Sequence, residues 1–231
     1  MPVAASTMGA DAAVVNDDGI RLPRLVVFDL DNCCWTPEMY QLYSGAPFAY
    51  NESENICTSS GGGRRGRGEV VSLLGNVAEI WGCLRNKAGL PLSAYAGAEA
   101  GRFGDVVFDP ETTRICIASC CDEPAWGREL LTKFRVVELQ QDGGGAHVKA
   151  YGETMAEAVS VAKIHFGGKR EHHQEIQRES GGVEFRDMIF FDDAGHHIRD
   201  VGGMGVTAVH TPHGGVTWRS LVEALEQFQR A

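Results

Sequence analysis

The chain has 231 residues, of which 43% are hydrophobic and 23% charged. That is the balance of a globular protein with one domain, or one domain carrying an insertion, long enough to bury its own core without a metal or disulfide scaffold. Its formal net charge is −10, which argues against general binding to nucleic acid or to anionic membranes, since phosphate groups attract basic surfaces.

In chain order, residues 1–21 carry three Asp and no Lys or Arg before Arg21. They lack the basic start of a secretory signal and the Arg-rich face of a transit peptide, and position 2 is not Gly. This predicts a disordered leader and a cytoplasmic protein. Residues 24–29 form a short apolar run that stops at Asp29, as a buried parallel strand ending at a site does. A loop is expected over 40–69, holding Gly61-Gly-Gly-Arg-Arg-Gly-Arg-Gly68. Then Val70, Leu73, Leu74, Val77, Ile80, Trp81 and Leu84 recur at helical spacing. Residues 88–112, rich in Ala and Gly, read as an irregular insertion. Residues 114–119 are a second buried strand, ending in Ser119. Next come a helix over 122–134, a strand over 136–139, a turn at 143–145, a helix over 153–162 and a short strand over 164–166. A helix over 169–179 is closed by Gly181-Gly182. A third strand, 188–191, runs into Asp192-Asp193; a fourth spans 206–210; an amphipathic helix over 216–228 ends the series. No apolar run approaches the 18 or so residues of a membrane span.

Strands alternating with helices imply an α/β fold, a doubly wound, Rossmann-like parallel sheet with right-handed crossovers. In such sheets ligands bind beyond the carboxyl ends of the strands. Three strands end there in Asp29, Ser119 and Asp192-Asp193. In order, the polar residues are Asp29-Leu30-Asp31, Ser119, a Lys (Lys163 or Lys169), and Asp192-Asp193. Several carboxylates around one point do not all stay ionised without a counter-ion, and an acidic, oxygen-rich site suits a hard cation such as Mg²⁺. A Lys and a Ser beside it serve the remaining oxygens of a phosphate, which together make a phosphoryl-transfer site.

Phe28-Asp-Leu-Asp-Asn-Cys-Cys-Trp35 resembles the first motif of the haloacid dehalogenase (HAD) superfamily of aspartate-nucleophile phosphatases. The nearer resemblance is to the magnesium-dependent phosphatase-1 family, whose members read FDLDxTLW here, carry a Ser after the second strand, and read FFDDxxxNIxDV near the end. This chain offers Ser119 and Phe190-Phe-Asp-Asp-Ala-Gly-His-His-Ile-Arg-Asp-Val201. Its Gly205-Val-Thr-Ala-Val-His210 is similar to the family's GVTCIH, and Ile164-His-Phe-Gly-Gly-Lys-Arg-Glu-His-His173 to IYPGSKxxHF. The resemblance covers roughly residues 22–85 and 113–228. It implies a HAD-type domain over 22–231 with no full cap domain, acting as a Mg²⁺-dependent phosphomonoesterase through an aspartyl-phosphate. It implies Asp29 as nucleophile and metal ligand, Asp31 as acid then base and, by its carbonyl, metal ligand. Ser119 and Lys169 would hold phosphate, with the amides of Leu30 and Cys120. Asp193 would be the direct metal ligand and Asp192 a second or alternate one. Relatives act on phosphotyrosine in proteins or on small sugar phosphates, so a phosphorylated small molecule or phosphoprotein is the expected substrate, with no nucleic-acid or membrane partner and a monomeric state. The pattern departs at Cys33, usually Thr; at Cys120, where close relatives carry a phosphate-touching Arg; and at Glu38, where they carry an aromatic.

Plainer readings stand beside these. Asp-x-Asp after a strand is often a solvated turn, and Ser119 or Asp192-Asp193 could cap helices. His172-His173 and His196-His197 read as surface histidines, since neighbours on a helix point about 100° apart. The Gly/Arg stretch reads as a loop near the site mouth rather than an RNA-binding tract. Seven cysteines, an odd number, read as reduced thiols. Cys33, Cys34, Cys120 and Cys121 read as small buried hydrophobes, the sharper alternative being a Cys33–Cys120 disulfide or sulfenylation at the site. The rival functions are a non-catalytic phosphate- or nucleotide-binding module and a thiol-redox-regulated binding protein.

Overall fold

A computed structural model describes residues 14–16, 18–61, 68–142, 146–212 and 214–231. Its strands are β1 (Val14–Val15), β2 (Arg21–Leu22), β3 (Leu25–Phe28), β4 (Trp35–Thr36), β5 (Phe48–Asn51), β6 (Ile56–Ser59), β7 (Val70–Leu73), β8 (Arg114–Ser119), β9 (Arg135–Gln141), β10 (His147–Thr154), β11 (Val159–Ile164), β12 (Met188–Asp192) and β13 (Thr207–His210). Its helices are α1 (Val77–Arg85), α2 (Leu92–Ala96), α3 (Pro124–Lys133), α4 (Met155–Ala158), α5 (Lys169–Glu179), α6 (Gly195–Gly202) and α7 (Trp218–Phe228).

Leu25-Val-Val-Phe28 has no polar face, so as a strand it is stable only with both sides covered. It lies at the middle of a five-stranded sheet of order β11-β8-β3-β12-β13, parallel throughout. Alternate side chains feed two cores, as the two-residue period of a strand requires. Val26, Phe28, Ile117 and Phe191 face α1, α3 and α7; Leu25, Val27, Cys116 and Phe190 face Ile176 of α5 and Val201 of α6. The expected doubly wound α/β sheet is therefore present. Its strand order reverses between β3 and β12, which opens a crevice at their carboxyl ends.

Several local expectations fail for identifiable reasons. The loop foreseen over 40–69 contains β5 and β6, which with β4 and β7 form an antiparallel sheet of order β4-β7-β6-β5. Only alternate residues of these strands are buried, so a search for continuous apolar runs passes over them. The Phe48 amide donates to Glu129 of α3 (2.7 Å) and Asn55 Nδ2 to the Arg135 carbonyl (2.9 Å), so this sheet is a layer on the main domain rather than a separate cap domain. Val70 and Leu73 belong to β7, and the helix begins only at Val77; a spacing of three fits both periods over so short a stretch. Residues 88–112 are not a loose insertion: Leu92, Phe103 and Phe108 enter the core. The helix expected over 153–162 is limited to α4, capped by Thr154 and Glu157, because Val159-Ser-Val161 continues as β11. Val14–Val15 pairs with Arg21–Leu22, so part of the expected leader is a strand pair. Residues 1–13, the arginines at 64, 65 and 67, and the turn at 143–145 lie outside the described residues. Among the described residues no helix is long and apolar enough to cross a membrane.

The helix α1 packs so closely on β9 that a Cβ at Gly82 would stand 1.7 Å from the Val137 carbonyl oxygen. Gly→Ala in an ordinary helix interior stabilises by up to about 1 kcal/mol. At Gly82 the opposite sign is expected: Gly82→Ala should lose about 2 kcal/mol or more through overpacking, read as a lower midpoint in urea denaturation.

Candidate active site

Four segments bring their polar ends to the crevice. Asp29 follows β3, and its amide donates to the Phe191 carbonyl of β12 (2.9 Å), so the sheet itself fixes its backbone. Its side chain is buried. Lys169, the first residue of α5 and only 3% exposed, donates from Nζ to Asp29 Oδ1 (2.5 Å) and to the Ala118 carbonyl of β8 (2.6 Å), and pairs with Asp192 Oδ2 at 3.0 Å. Asp192 also accepts from the Ala194 amide (2.8 Å) and from His197 Nδ1 (3.1 and 3.2 Å). Asp31 turns the other way, held by Trp35 Nε1 (2.7 Å) and the Met39 amide (3.2 Å). Ser119, Cys120 and Asp193 join Asp29, Asp31 and Lys169 in lining a cleft of about 180 Å³. Leu30 has a fully buried side chain, and its carbonyl accepts the Cys34 amide (2.7 Å).

Ligand oxygens of Asp29, Asp192 and Asp193 lie within 4.8 Å of one another. Three carboxylates thus face one ammonium, an imbalance that a hard divalent cation with oxygen ligands such as Mg²⁺ fits. Of the two lysines left open by the interval, Lys169 reaches this group. Lys163, on the edge strand β11, pairs with Glu175 (3.3 Å) and Glu179 instead. Ser119 does not cap α3, whose N-cap position is Glu123.

A family model described as acid phosphatase matches residues 21–231. The chain belongs to the acid phosphatase family. It is 28% identical over 211 residues to magnesium-dependent phosphatase 1 of Homo sapiens, covering 91% of this chain and 90% of that protein. It is 26% identical over 188 residues to a HAD-like hydrolase superfamily protein of Schizosaccharomyces pombe, covering 81% and 85%. Among solved structures, the N-terminal part of BF1531 from Bacteroides fragilis, containing a phosphatase domain complexed with Mg, aligns with 90% of this chain and 40% of that one at 16% identity and a TM-score of 0.44, too weak a likeness to decide anything.

In this acid phosphatase, burial drives the Asp29 carboxyl well above the usual carboxylate range, with Lys169 opposing and Asp192 adding to the shift. Burial also works against the Lys169 ammonium, but Asp29 and Asp192 outweigh it and hold the amine charged. For Asp192 burial is outweighed by His197, Lys169 and the Ala194 amide, so its carboxyl falls below the ordinary value. Burial raises Asp31 and Asp193, the latter with help from Asp192.

The cysteine and histidine readings divide. All seven thiols are free, and six are buried. Cys33 Sγ lies against the Phe191 carbonyl (3.5 Å) and Thr211 (3.6 Å), toward β12 and β13. Cys120 Sγ donates to the Gly167 carbonyl (3.0 Å), on the β11 side. The two thiols point to opposite sides of β3, which argues against a disulfide between them. Burial raises the Cys120 thiol and pushes Cys121 up to about 12, so neither has the thiolate character that sulfenylation needs. The surface reading of the His pairs is wrong for His172 and His173, which are fully buried: Lys169, His172, His173 and Ile176 fall on the inward stripe of α5. His196 is exposed, whereas His197 binds Asp192. Tyr40, Asp122 and His197 also line the cleft, and sequence reasoning does not mark them as site residues. The signal available for His197 is its position in FFDDxxxNI, where the family carries Asn.

His173 packs edge-on against Phe190 at 4.6 Å and donates from Nδ1 to the Lys169 carbonyl (2.7 Å). Burial pushes it down to about 4 from 6.5. A lowered base binds more protons unfolded, so its contribution is complete above pH 6.5 and is lost as pH falls toward 4, by about 3 kcal/mol. Urea denaturation should show this slope in the wild type and a shallower one in His173→Phe.

Proposed function

We propose that this cleft hydrolyses phosphomonoesters with Mg²⁺ through an aspartyl-phosphate on Asp29. The observation that carries the reading is the meeting of Asp29, Asp192 and Asp193 within 4.8 Å, with Lys169 bonded to two of the three. The similarity to human magnesium-dependent phosphatase 1 supports the metal. The side chains of Asp29 and Asp193 and the carbonyl of Asp31 would hold Mg²⁺, with Asp192 as a second or alternate ligand. When bound, the ion offsets the crowded negative charge and draws on a phosphate oxygen.

The chain's own groups then divide the work. An Asp29 oxygen attacks phosphorus and the bond to the leaving oxygen breaks; that oxygen takes the proton of Asp31. Asp31, now a carboxylate, takes a proton from water. The water oxygen attacks phosphorus, phosphate leaves, and Asp29 is regenerated. Trp35 Nε1 and the Met39 amide keep Asp31 aimed for both steps. The Ser119 hydroxyl and the Leu30 and Cys120 amides hold phosphate oxygens, while Lys169 holds Asp29 in place and offsets the charge of the transferring group. The small cleft admits the phosphoryl group and leaves its ester outside, beside Tyr40, which is 61% exposed. This suits a phosphotyrosine side chain on a protein or a small sugar phosphate. Free thiols fit a reducing, cytoplasmic setting, and we take the chain to act as a monomer.

Asp29→Asn should fold and lose p-nitrophenyl phosphate turnover by at least about a thousandfold, the scale of losing an essential nucleophile; turnover near the wild-type rate would refute the mechanism. EDTA should stop the reaction and added Mg²⁺ restore it. Binding of phosphate without turnover in the wild type would favour the non-catalytic module instead. Lys169→Met should cost far more activity than Lys163→Met, measured as kcat/KM on the same ester, and the reverse order would exclude the role given to Lys169. A panel of phosphopeptides and sugar phosphates separates the two substrate classes.

A further inference from the structure

His197 stands on α6 with Nδ1 against both oxygens of Asp192, at 3.1 and 3.2 Å. A carboxylate only accepts hydrogen bonds, so Nδ1 carries the hydrogen and donates it. The other ring nitrogen, Nε2, lies on the far side of the imidazole and points away from Asp192. The side chain is 23% exposed and lines the same cleft as Asp29, Ser119 and Lys169. No step assigned to the site uses Nε2.

The cleft is also poor in positive charge for a phosphate. Among the described residues lining it, Lys169 is the single Lys or Arg, and its Nζ is engaged by Asp29, Asp192 and the Ala118 carbonyl. Where the family pattern places an Arg after Ser119, this chain has Cys120, whose thiol donates to the loop carbonyl of Gly167. At the position of His197 that pattern has Asn. An Asn amide can occupy the place of Nδ1 but ends there, whereas the imidazole carries a second nitrogen beyond it. A phosphoryl group presents several oxygens, each of which accepts hydrogen bonds.

We propose that His197 is a substrate-binding residue: Asp192 fixes the ring through Nδ1, and Nε2 hydrogen-bonds the phosphoryl group, supplying part of the recognition that the Cys120 thiol does not. The proposal rests on the phosphatase reading of the cleft. It makes α6, and not only the residue after Ser119, a source of phosphate recognition in this chain.

The test uses the full chain and three variants, with binding of inorganic phosphate measured by calorimetry at saturating Mg²⁺. KM and kcat for p-nitrophenyl phosphate and the Mg²⁺ concentration giving half-maximal activity are measured alongside. His197→Asn keeps a donor for Asp192 and removes the far nitrogen. It should raise the phosphate Kd and KM about tenfold to a hundredfold, the scale of one hydrogen bond to a charged group, with the Mg²⁺ requirement within about twofold. His197→Gln, whose amide reaches the Nε2 position, should bind phosphate more tightly than His197→Ala. Wild-type phosphate Kd and KM in His197→Asn would overturn the proposal, and so would a weakening matched by an equal shift in the Mg²⁺ requirement, which would leave His197 as a positioning residue for Asp192. A wild-type chain that neither binds phosphate nor turns over the ester overturns the phosphatase reading itself, and the His197 contact with it.

Discussion

Three carboxylates crowded at the carboxyl ends of β3 and β12 repel one another, and one ammonium does not balance them. That imbalance among Asp29, Asp192, Asp193 and Lys169 is the constraint on which the rest of the site depends. A buried charge without a partner costs several kcal/mol, and three of the four members are tied down from outside the group. Asp29 is held through the backbone pairing of its strand with β12, Asp192 by the Ala194 amide and His197, and Lys169 by the Ala118 carbonyl. The residual negative charge is what suits the cleft to a divalent cation and, through it, to a phosphate.

Topology places these groups without any long side chain having to stretch. β3 and β12 are neighbours although most of the chain separates them, because the strand order reverses between them. Lys169 opens α5, where the helix macrodipole disfavours a cation by about 0.3–1 kcal/mol. Two carboxylates and a carbonyl within hydrogen-bond distance outweigh that cost, and they do so only because α5 starts directly above the ends of β8 and β3.

The departures from the family pattern are accommodated rather than neutral. At Cys33 a thiol fills the position of a hydroxyl, and its weak contacts to the Phe191 carbonyl and Thr211 keep the turn after β3 packed against β12. Asp29 does not rely on that side chain, because its backbone is already paired with Phe191. Cys120 turns toward the loop before α5, and among the described residues lining the cleft only Lys169 is a Lys or Arg.

The amino-acid sequence by itself determined the parallel strands and the acids that end them. Leu25–Phe28, Arg114–Ser119 and Met188–Asp192 are apolar enough to be stable only inside a sheet, and a run that stops at Asp29 or Asp192 marks where the sheet meets the site. Helix α5 was equally legible, from Lys169 through the positive-φ Gly181 and Gly182 that end it. The tertiary structure decided what depends on partners distant in the chain: the pairing of β9 with β10, the small sheet over the expected loop, the burial of His172 and His173, and the contacts that Lys169, not Lys163, makes with Asp29 and Asp192. Half-buried strands and the inward stripe of a polar helix carry weak local signals, since what stabilises them is the surface they cover and not their own composition. A burial pattern of that kind exists only once the other surface is in place.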